Sequence, residues 1–457
     1  MTDLVPALLG APAAFLIREA GDGREYARLR ARVFVDEQRL FVRSDRDERD
    51  ADPRTIVLEA RSPDGALLGG VRLGPATDGP DIGWWVGGRL AVDASVRGAQ
   101  RIGPALIRAA CAHAERHGAL RFDATVQDRW RRMFERLGWQ FIRAVTVAGR
   151  AHSLMRWPIG RIAALTAATK APLGALLHGL RPGGAGFVGD DGAPVPGSDL
   201  IAACDAILPS MVERDPDWAG WCAVLVNVND LSAMGAVPVG LLNTVAGRDA
   251  AAVGRTLAGL RRAADAYGVP ILGGHTQLGV PAALTATALG RAASPVRGGG
   301  GRPGQTVRLT ADLGGDWRPG YHGRQWDSTS RRSGAQLRAM LGYVAAARPA
   351  AAKDVSMAGI AGTLGMLAEA SGCGAVLDVA AVPRPAGASM GDWLTCFPGF
   401  AMLTTGAGGS AADAPAGPAV TADCGALTSG RGVRLRWPDG ELTEAVHSAV
   451  TGMGRAA

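Results

Sequence analysis

The sequence predicts an α/β protein built from more than one unit. Three observations carry this. Within the first 158 residues, apolar runs follow one another as strand, strand, strand, helix, strand, helix, the order of a layered α/β domain. The composition then shifts at 157–158, from Arg-rich amphipathic stretches to long Ala/Gly/Val-rich ones. Finally, 457 residues with 47% hydrophobic and 20% charged content can bury a sizeable core.

Taken in order, residues 55–60 and 67–73 flank a Pro63-Asp64-Gly65 turn and predict a hairpin. Residues 84–92 predict a further strand. Residues 103–117 predict a helix, with Leu106, Ile107, Ala110, Cys111 and Ala114 on one face. Residues 122–126 alternate as a strand, and 130–137 return to helix. In the later part, 187–188, 224–228 and 284–289 are expected as strands, the last two covered on both faces because they alternate little. LIAACDAI at 200–207 places Asp205 on another. The RGGGGRP stretch at 297–303 predicts a flexible connector, so the units expected are 1–158, 159–296 and 304–457. Residues 406–418 read as a long surface loop.

Composition also excludes several classes. The net charge of +7 invites nucleic acid, but there is no basic tail and acids are interspersed almost everywhere, so no nucleic-acid partner is expected. Six widely spaced cysteines with no CxxC pair exclude a zinc ribbon and a disulfide framework, and fit a cytoplasmic setting. The apolar stretch 4–17 lacks a leading basic region and is too short to span a bilayer. No uninterrupted apolar run reaches 18 residues, so no membrane association is expected.

Two constellations carry chemistry. The first is LAVDASVRGAQRIGPALI from Leu90, where a strand enters a turn bearing Arg97, Gly98, Arg101 and Gly103 and the turn opens a helix. Free N–H groups and the helix dipole favour an anion there. Between 101 and 150 there are ten arginines against four acids. The second is Gly189-Asp190-Asp191-Gly192. Adjacent carboxylates repel one another unless a cation sits between them, and magnesium takes carboxylate oxygen, water and phosphate. Asp205, the Asn227/Asn229/Asp230 group, and Gly273, Gly274, His275 and Thr276 (expected between two strands) add polar groups at the ends of apolar strands. Such placement is costly unless the groups are used.

FVDEQRLF at 34–41, the 90–107 segment and ATVQDRWRRMFERLGW at 124–139 resemble, in order and spacing, the GNAT (GCN5-related) acetyltransferases over about 1–157. The resemblance implies a mixed sheet with flanking helices. It also implies acetyl-CoA as acyl donor, its pyrophosphate on the turn and its thioester carbonyl on the strand ending at Val92. The family's Q/R-x-x-G-x-G/A turn fits two ways, through Gln100, Gly103 and Ala105, or from Gly98 to Gly103 with Arg101 where a glycine is usual. Phe134 stands where many members carry a general-acid tyrosine. Glu59 and His152 are the candidate general bases.

The GDD turn, NDLSAMGAVP and GGHT, with RPGQTVRLTADLGG at 302–315 and KDVSMAGIAGTLGMLAEASGCG at 353–374, resemble the AIR synthase-like superfamily over about 185–440. This implies a two-part α+β body with ATP and Mg²⁺. By that resemblance Asp190, Asp191, Asp205 and Asp230 are magnesium or phosphate-site candidates, and Asn229, Gly274, His275, Thr276 and Asp354 line the cleft. Met357 stands where a second Asp is frequent. The resemblance also implies a homodimer in which strands close a shared barrel across a two-fold axis. The combination looks like the fused proteins of bacterial nitrilase gene clusters. It implies a bifunctional enzyme acting on small molecules of nitrogen or nitrile metabolism, the alternative being one catalytic half beside a regulatory module.

Overall fold

In the computed structural model, which describes residues 15–98, 101–180, 182–406 and 414–456, the chain divides into two compact units. The first is 1–159 with 389–391, and the second is 160–388 with 392–457.

The first unit is a seven-stranded sheet. Its strands are β1 (Leu16–Glu19), β2 (Ile56–Arg61), β3 (Leu67–Pro75), β4 (Trp84–Val92), β5 (Arg121–Gln127), β6 (Gln140–Val147) and β7 (Arg150–Trp157). They lie in the order β1-β2-β3-β4-β5-β7-β6. The hairpin β2–β3, the strands β4 and β5 and the long helix between them stand where the periodicity puts them. The helices are α1 (Arg24–Ala31), α2 (Ile102–Arg116) and α3 (Arg131–Arg136). Leu106, Ile107, Ala110, Cys111 and Ala114 of α2 pack on Phe122 and Met155 of the sheet. A ring of ion pairs ties the chain after α1 to the sheet: Arg30 holds Asp45 at 2.6 Å, Arg72 holds Asp47 at 2.6 Å and Asp50 at 2.8 Å, and Arg89 holds Asp47 at 3.0 Å. β4 and β5 are parallel, and their pairing ends at Gly87↔Ala124 although both strands run on. The strands therefore splay, and this opens a cleft.

The second unit holds two large sheets and, at Asp316–Trp317 and Trp326–Asp327, a two-stranded one; a core that runs from Ile201 to Ala416 packs between its elements. One sheet has the order β11-β10-β12-β9-β8. Its strands are β8 (Ala193–Pro194), β9 (Leu200–Ile207), β10 (Val237–Gly247), β11 (Ile271–Leu278) and β12 (Ala283–Arg291). The other begins with β13 (Thr306–Ala311), flanked by Ala401–Gly406 and then Ala351–Asp354 on one side, and by Val420–Thr428 on the other.

Four expectations are corrected here. Residues 224–228 are not a strand but the middle of a buried helix, Pro216–Ala233, which starts at a Pro and is capped by Asp215. A helix buried all round shows no periodicity, so its β-branched run mimics a strand. Residues 187–188 form a turn. Residues 284–289 do form a strand, but burial alternates along it, so only one face is covered. The 298–301 glycines are no flexible connector. A Cβ at Gly300 would lie 1.9 Å from the Ala350 carbonyl, at Gly299 2.6 Å from that of Ala370, and at Gly301 2.4 Å from Leu427 Cδ1. The run is glycine because backbone and core close on it. Of the loop expected at 406–418, residues 407–413 lie outside the described residues.

His113 of α2 is 2% exposed, its Nε2 has no partner, and its ring stacks on His117 at 4.1 Å. Burial, then the charges of His117 and Arg116, push its pKa down to about 4 from 6.5; Glu19 lies 3.7 Å from Nδ1 at the surface. The lowered value means stability that is full above pH 6.5 and lost as pH falls toward 4, about 1–3 kcal/mol. His113→Phe should flatten that part of the stability–pH curve in urea unfolding of the full chain. An equal loss in both proteins would rule out His113 as its origin.

Candidate functional site

The splay of β4 and β5 forms a cavity of about 440 Å³. Its interior is apolar, lined by Ile107, Ala110, Phe122, Ala124, Met133, Phe134 and Trp139. Its rim is polar, with Arg89, Arg97, Arg101, Gln38, Gln127 and His152. Of the residues expected to bind acetyl-CoA, Val92, Arg97, Gly98, Arg101 and Gly103 line it. Ala105, a turn further along α2, does not, and Gln100 lies outside the described residues.

Arg101 precedes α2 in the left-handed region, at φ 51°. That conformation suits glycine and costs an arginine about 1 kcal/mol, which explains why a glycine is usual at this point of the turn. A Cβ at Gly103 would meet only Val92 Cγ2, at 3.9 Å, so packing leaves room there. Arg97 is already engaged: its Nε donates to the Val92 carbonyl at 2.8 Å and its Nη1 lies 2.6 Å from Glu37.

The two candidate bases part company. Glu59 does not line the cavity; its carboxylate is buried against Arg61 Nε at 2.8 Å and serves the sheet. His152 does line it. Its Nδ1 lies 2.9 Å from the Arg150 carbonyl, so Nδ1–H donates there and Nε2 is the ring nitrogen with a free lone pair. Phe134 lines the cavity edge-on to Trp139, with ring centres 5.3 Å apart, and offers no proton.

In the second unit, carboxylate oxygens of Asp191, Asp230 and Asp354 lie within 4.8 Å of one another. Three segments bring them together: the 189–192 turn, the buried helix Pro216–Ala233, and the end of strand Ala351–Asp354. Asp205, on β9, hydrogen-bonds Asp230. Burial first, and then the charges of the neighbouring carboxylates, hold Asp230 and Asp354 well above the usual carboxylate range. Asp205 is raised too, by the protein packed around it, though its side chain stays open to solvent.

The adjacent pair is not symmetrical. Asp191 accepts from Lys353 Nζ at 2.7 Å and from the Asp354 N–H at 3.0 Å. Both oxygens of Asp190 are buried without a hydrogen-bond partner, and burial pushes its pKa up to about 6. Asn229 donates to the Gly399 carbonyl at 2.7 Å, while its own buried oxygen has no partner. A donor set of carboxylate oxygens with orphaned buried acceptors beside it fits magnesium and a phosphate.

Gly274, His275 and Thr276 do not join this group. They lie within β11, not between strands, on an exposed edge three strands from β9, roughly 14 Å across the sheet. Met357, 46% exposed, supplies no ligand. The residue-by-residue reading missed Lys353, which is 1% exposed inside the cluster, and Gly298, whose Cβ would lie 2.5 Å from Asp190 Oδ1. One signal was present: Lys353 is one of only two lysines in the chain.

Comparison with known proteins follows the same division. The model of the Acetyltransferase (GNAT) family matches residues 24–139. The models of the AIR synthase related protein N-terminal and C-terminal domains match 189–292 and 306–438. An uncharacterized protein of Synechocystis sp., sll0787, is 37% identical over 224 residues, 47% of this chain and 69% of that protein. Thiamine-monophosphate kinase of Synechococcus elongatus is 31% identical over 147 residues, 30% of this chain and 42% of that enzyme. The structure of T. maritima PurL complexed with AMPPCP matches with a TM-score of 0.51 at 14% identity, over 65% of this chain and 51% of that one, a likeness of fold. The chain thus belongs to the AIR synthase related proteins and carries, ahead of that body, a domain of the GNAT acetyltransferase family.

Proposed function

We propose that the chain joins two activities. The first unit is an acetyl-CoA-dependent N-acyltransferase, and the second an ATP- and magnesium-dependent phosphoryl-transfer enzyme. Both act on small molecules, and the assignment to nitrogen or nitrile metabolism rests on the sequence resemblance. The observation that carries the proposal is that each unit has its own formed site, an apolar cleft at a helix N-terminus in one and a three-segment carboxylate cluster in the other.

In the first unit, the α2 N-terminus with Arg101 would take the pyrophosphate, and the apolar cleft the pantetheine arm and acyl group. His152 Nε2 is the group placed to remove a proton from the acceptor amine. With Phe134 in place, the departing thiolate takes its proton from water. In the second unit, Asp191, Asp230 and Asp354 would hold magnesium, which when bound would neutralise phosphate charge. Asn229 and Asp190 would face the nucleotide with their unpaired oxygens. Phe134 and Met357 also support a second reading, in which one unit catalyses and the other binds CoA or nucleotide as a regulatory module. Steady-state turnover by each unit separates the two readings.

Acetyl-CoA should bind the wild type in calorimetry. Gly103→Asp should fold, because there is room for the side chain, and should abolish binding by placing a carboxylate against the pyrophosphate. Arg101→Gly should gain about 1 kcal/mol of stability and bind acetyl-CoA more weakly. Unchanged affinity in both variants would move the site.

ATP should bind only with magnesium present. Asp230→Asn resembles the protonated carboxyl that the apo site favours, so it should fold normally and lose affinity for ATP by about tenfold or more. ATP binding that is indifferent to chelation would remove the metal from the proposal.

A second copy completes the proposal. The uncovered face and edge of the second unit's five-stranded sheet expose Val237, Leu242, Ile271, Leu272 and Leu278, the most open being Val237 at 64%. An apolar sheet face of this kind fits an isologous partner. Sedimentation of the full chain should give twice 46.9 kDa, and Leu272→Asp should give the monomer. A monomeric wild type at micromolar concentration would overturn the interface.

A further inference from the structure

Of the 49 basic residues in this chain, 47 are arginine and only Lys170 and Lys353 are lysine. Lys353 stands inside the carboxylate cluster of the second unit, which gathers Asp190, Asp191, Asp205, Asp230 and Asp354, and the charge of Lys170 reaches two of these, Asp205 and Asp354. The two lysines are placed quite differently.

Lys353 is enclosed. Its Nζ donates to Asp191 Oδ1 at 2.7 Å and to the Gly189 carbonyl at 2.9 Å, and it is 1% exposed. A Cβ on Gly298 would stand 3.1 Å from its Cε, so the space takes a compact ammonium and not a planar guanidinium. Lys170 follows α4 (Arg161–Thr169), which packs on the helix Gly359–Ser371. A Cβ on Gly362 of that helix would come within 2.8 Å of Thr166 Cγ2. Lys170 is half-buried, and its charge acts on both Asp205 and Asp354. Among the described residues its ammonium has neither a hydrogen-bond nor an ion-pair partner.

We propose that the two lysines are fixed cations of the second unit's anion site: Lys353 is a built-in counter-ion filling the place of a further divalent ion, and Lys170 is the free ammonium that contacts the phosphate of the substrate nucleotide. The proposal rests on the phosphoryl-transfer reading of that unit. Lys353 touches carboxylates and not substrate, so it is a positioning residue. It balances the Asp191 charge and braces the 189–192 turn, which keeps that carboxylate beside Asp230 and Asp354, with which it would hold the metal. Lys170 is the group with a donor to spare. A lysine serves at each position because a point charge on a flexible stem can sit among carboxylates, or follow a moving phosphate, where a rigid fork cannot.

An amine-selective acylating reagent, read by peptide mass spectrometry, tests both placements on the full wild-type chain. Lys170 should label readily and Lys353 should not. ATP with magnesium, and pyrophosphate with magnesium, should each protect Lys170. Lys170→Met should weaken ATP binding roughly tenfold to hundredfold without changing the melting temperature. Lys353→Met should melt lower than wild type in chelator and recover as magnesium is added, while the wild type responds little.

Protection by pyrophosphate without any ATP binding would overturn the nucleotide reading and leave the lysine assignment standing. ATP binding with Lys170 labelled at an unchanged rate, or with full affinity in Lys170→Met, would overturn the assignment and leave the nucleotide reading standing. A Lys353→Met protein whose melting is as insensitive to magnesium as the wild type's would remove the counter-ion role.

Discussion

One buried ion pair holds the second unit's site together. Asp191 belongs to a turn near the start of that unit, and Lys353 and Asp354 to a strand more than 160 residues later. The Lys353 ammonium and the Asp354 N–H both end on the Asp191 carboxylate. Breaking such a pair from one side would leave a buried charge and cost about 3–5 kcal/mol. The same contact brings Asp354 beside Asp230, so the interaction that joins the two parts of the body is also the one that assembles its chemistry. The glycines at 298–301 follow from this closure, since side chains there would meet backbone or core atoms, or the Asp190 carboxylate.

The first unit reaches a site by a different route, in backbone rather than charge. Two parallel strands stop pairing at Gly87↔Ala124, and the gap becomes a cleft without any side chain having to move. Arg101 then holds a left-handed conformation at the cleft's edge. Strain of this sort persists where the surroundings fix it, and here it gives the helix entrance a cation where a glycine would give none. The ring of Arg30, Arg72 and Arg89 with Asp45, Asp47 and Asp50 keeps the neighbouring segment fixed, so the rim beside Arg89 is preorganised.

Much was legible in the sequence. The strands and the long helix of the first unit follow from period-two and period-3.6 patterns, because each buries only one face. The turn at 97–103 and the GDD turn stand out because glycines and charges punctuate apolar runs. The failures share one cause. The helix Pro216–Ala233 is buried on every side, so it carries no periodicity and its Val-Asn-Val run reads as a strand. The glycine run at 298–301 reads as flexible because sequence reports what glycine permits and not what presses against it.

The sequence by itself determined the class of fold, the two families whose motifs the chain carries, and the residue types on which the proposed chemistry rests. These depend on local pattern and on side-chain chemistry, both of which are written along the chain. Only the tertiary structure decided which of the candidates meet. It set Asp191, Asp230 and Asp354 together and left His275 and Thr276 at a distant sheet edge. It gave His152 the cleft and Glu59 an arginine, and it put Lys353 inside the cluster. The reason is physical: a carboxylate's role depends on which charge it faces and how much water reaches it, and both are fixed by segments far away along the chain.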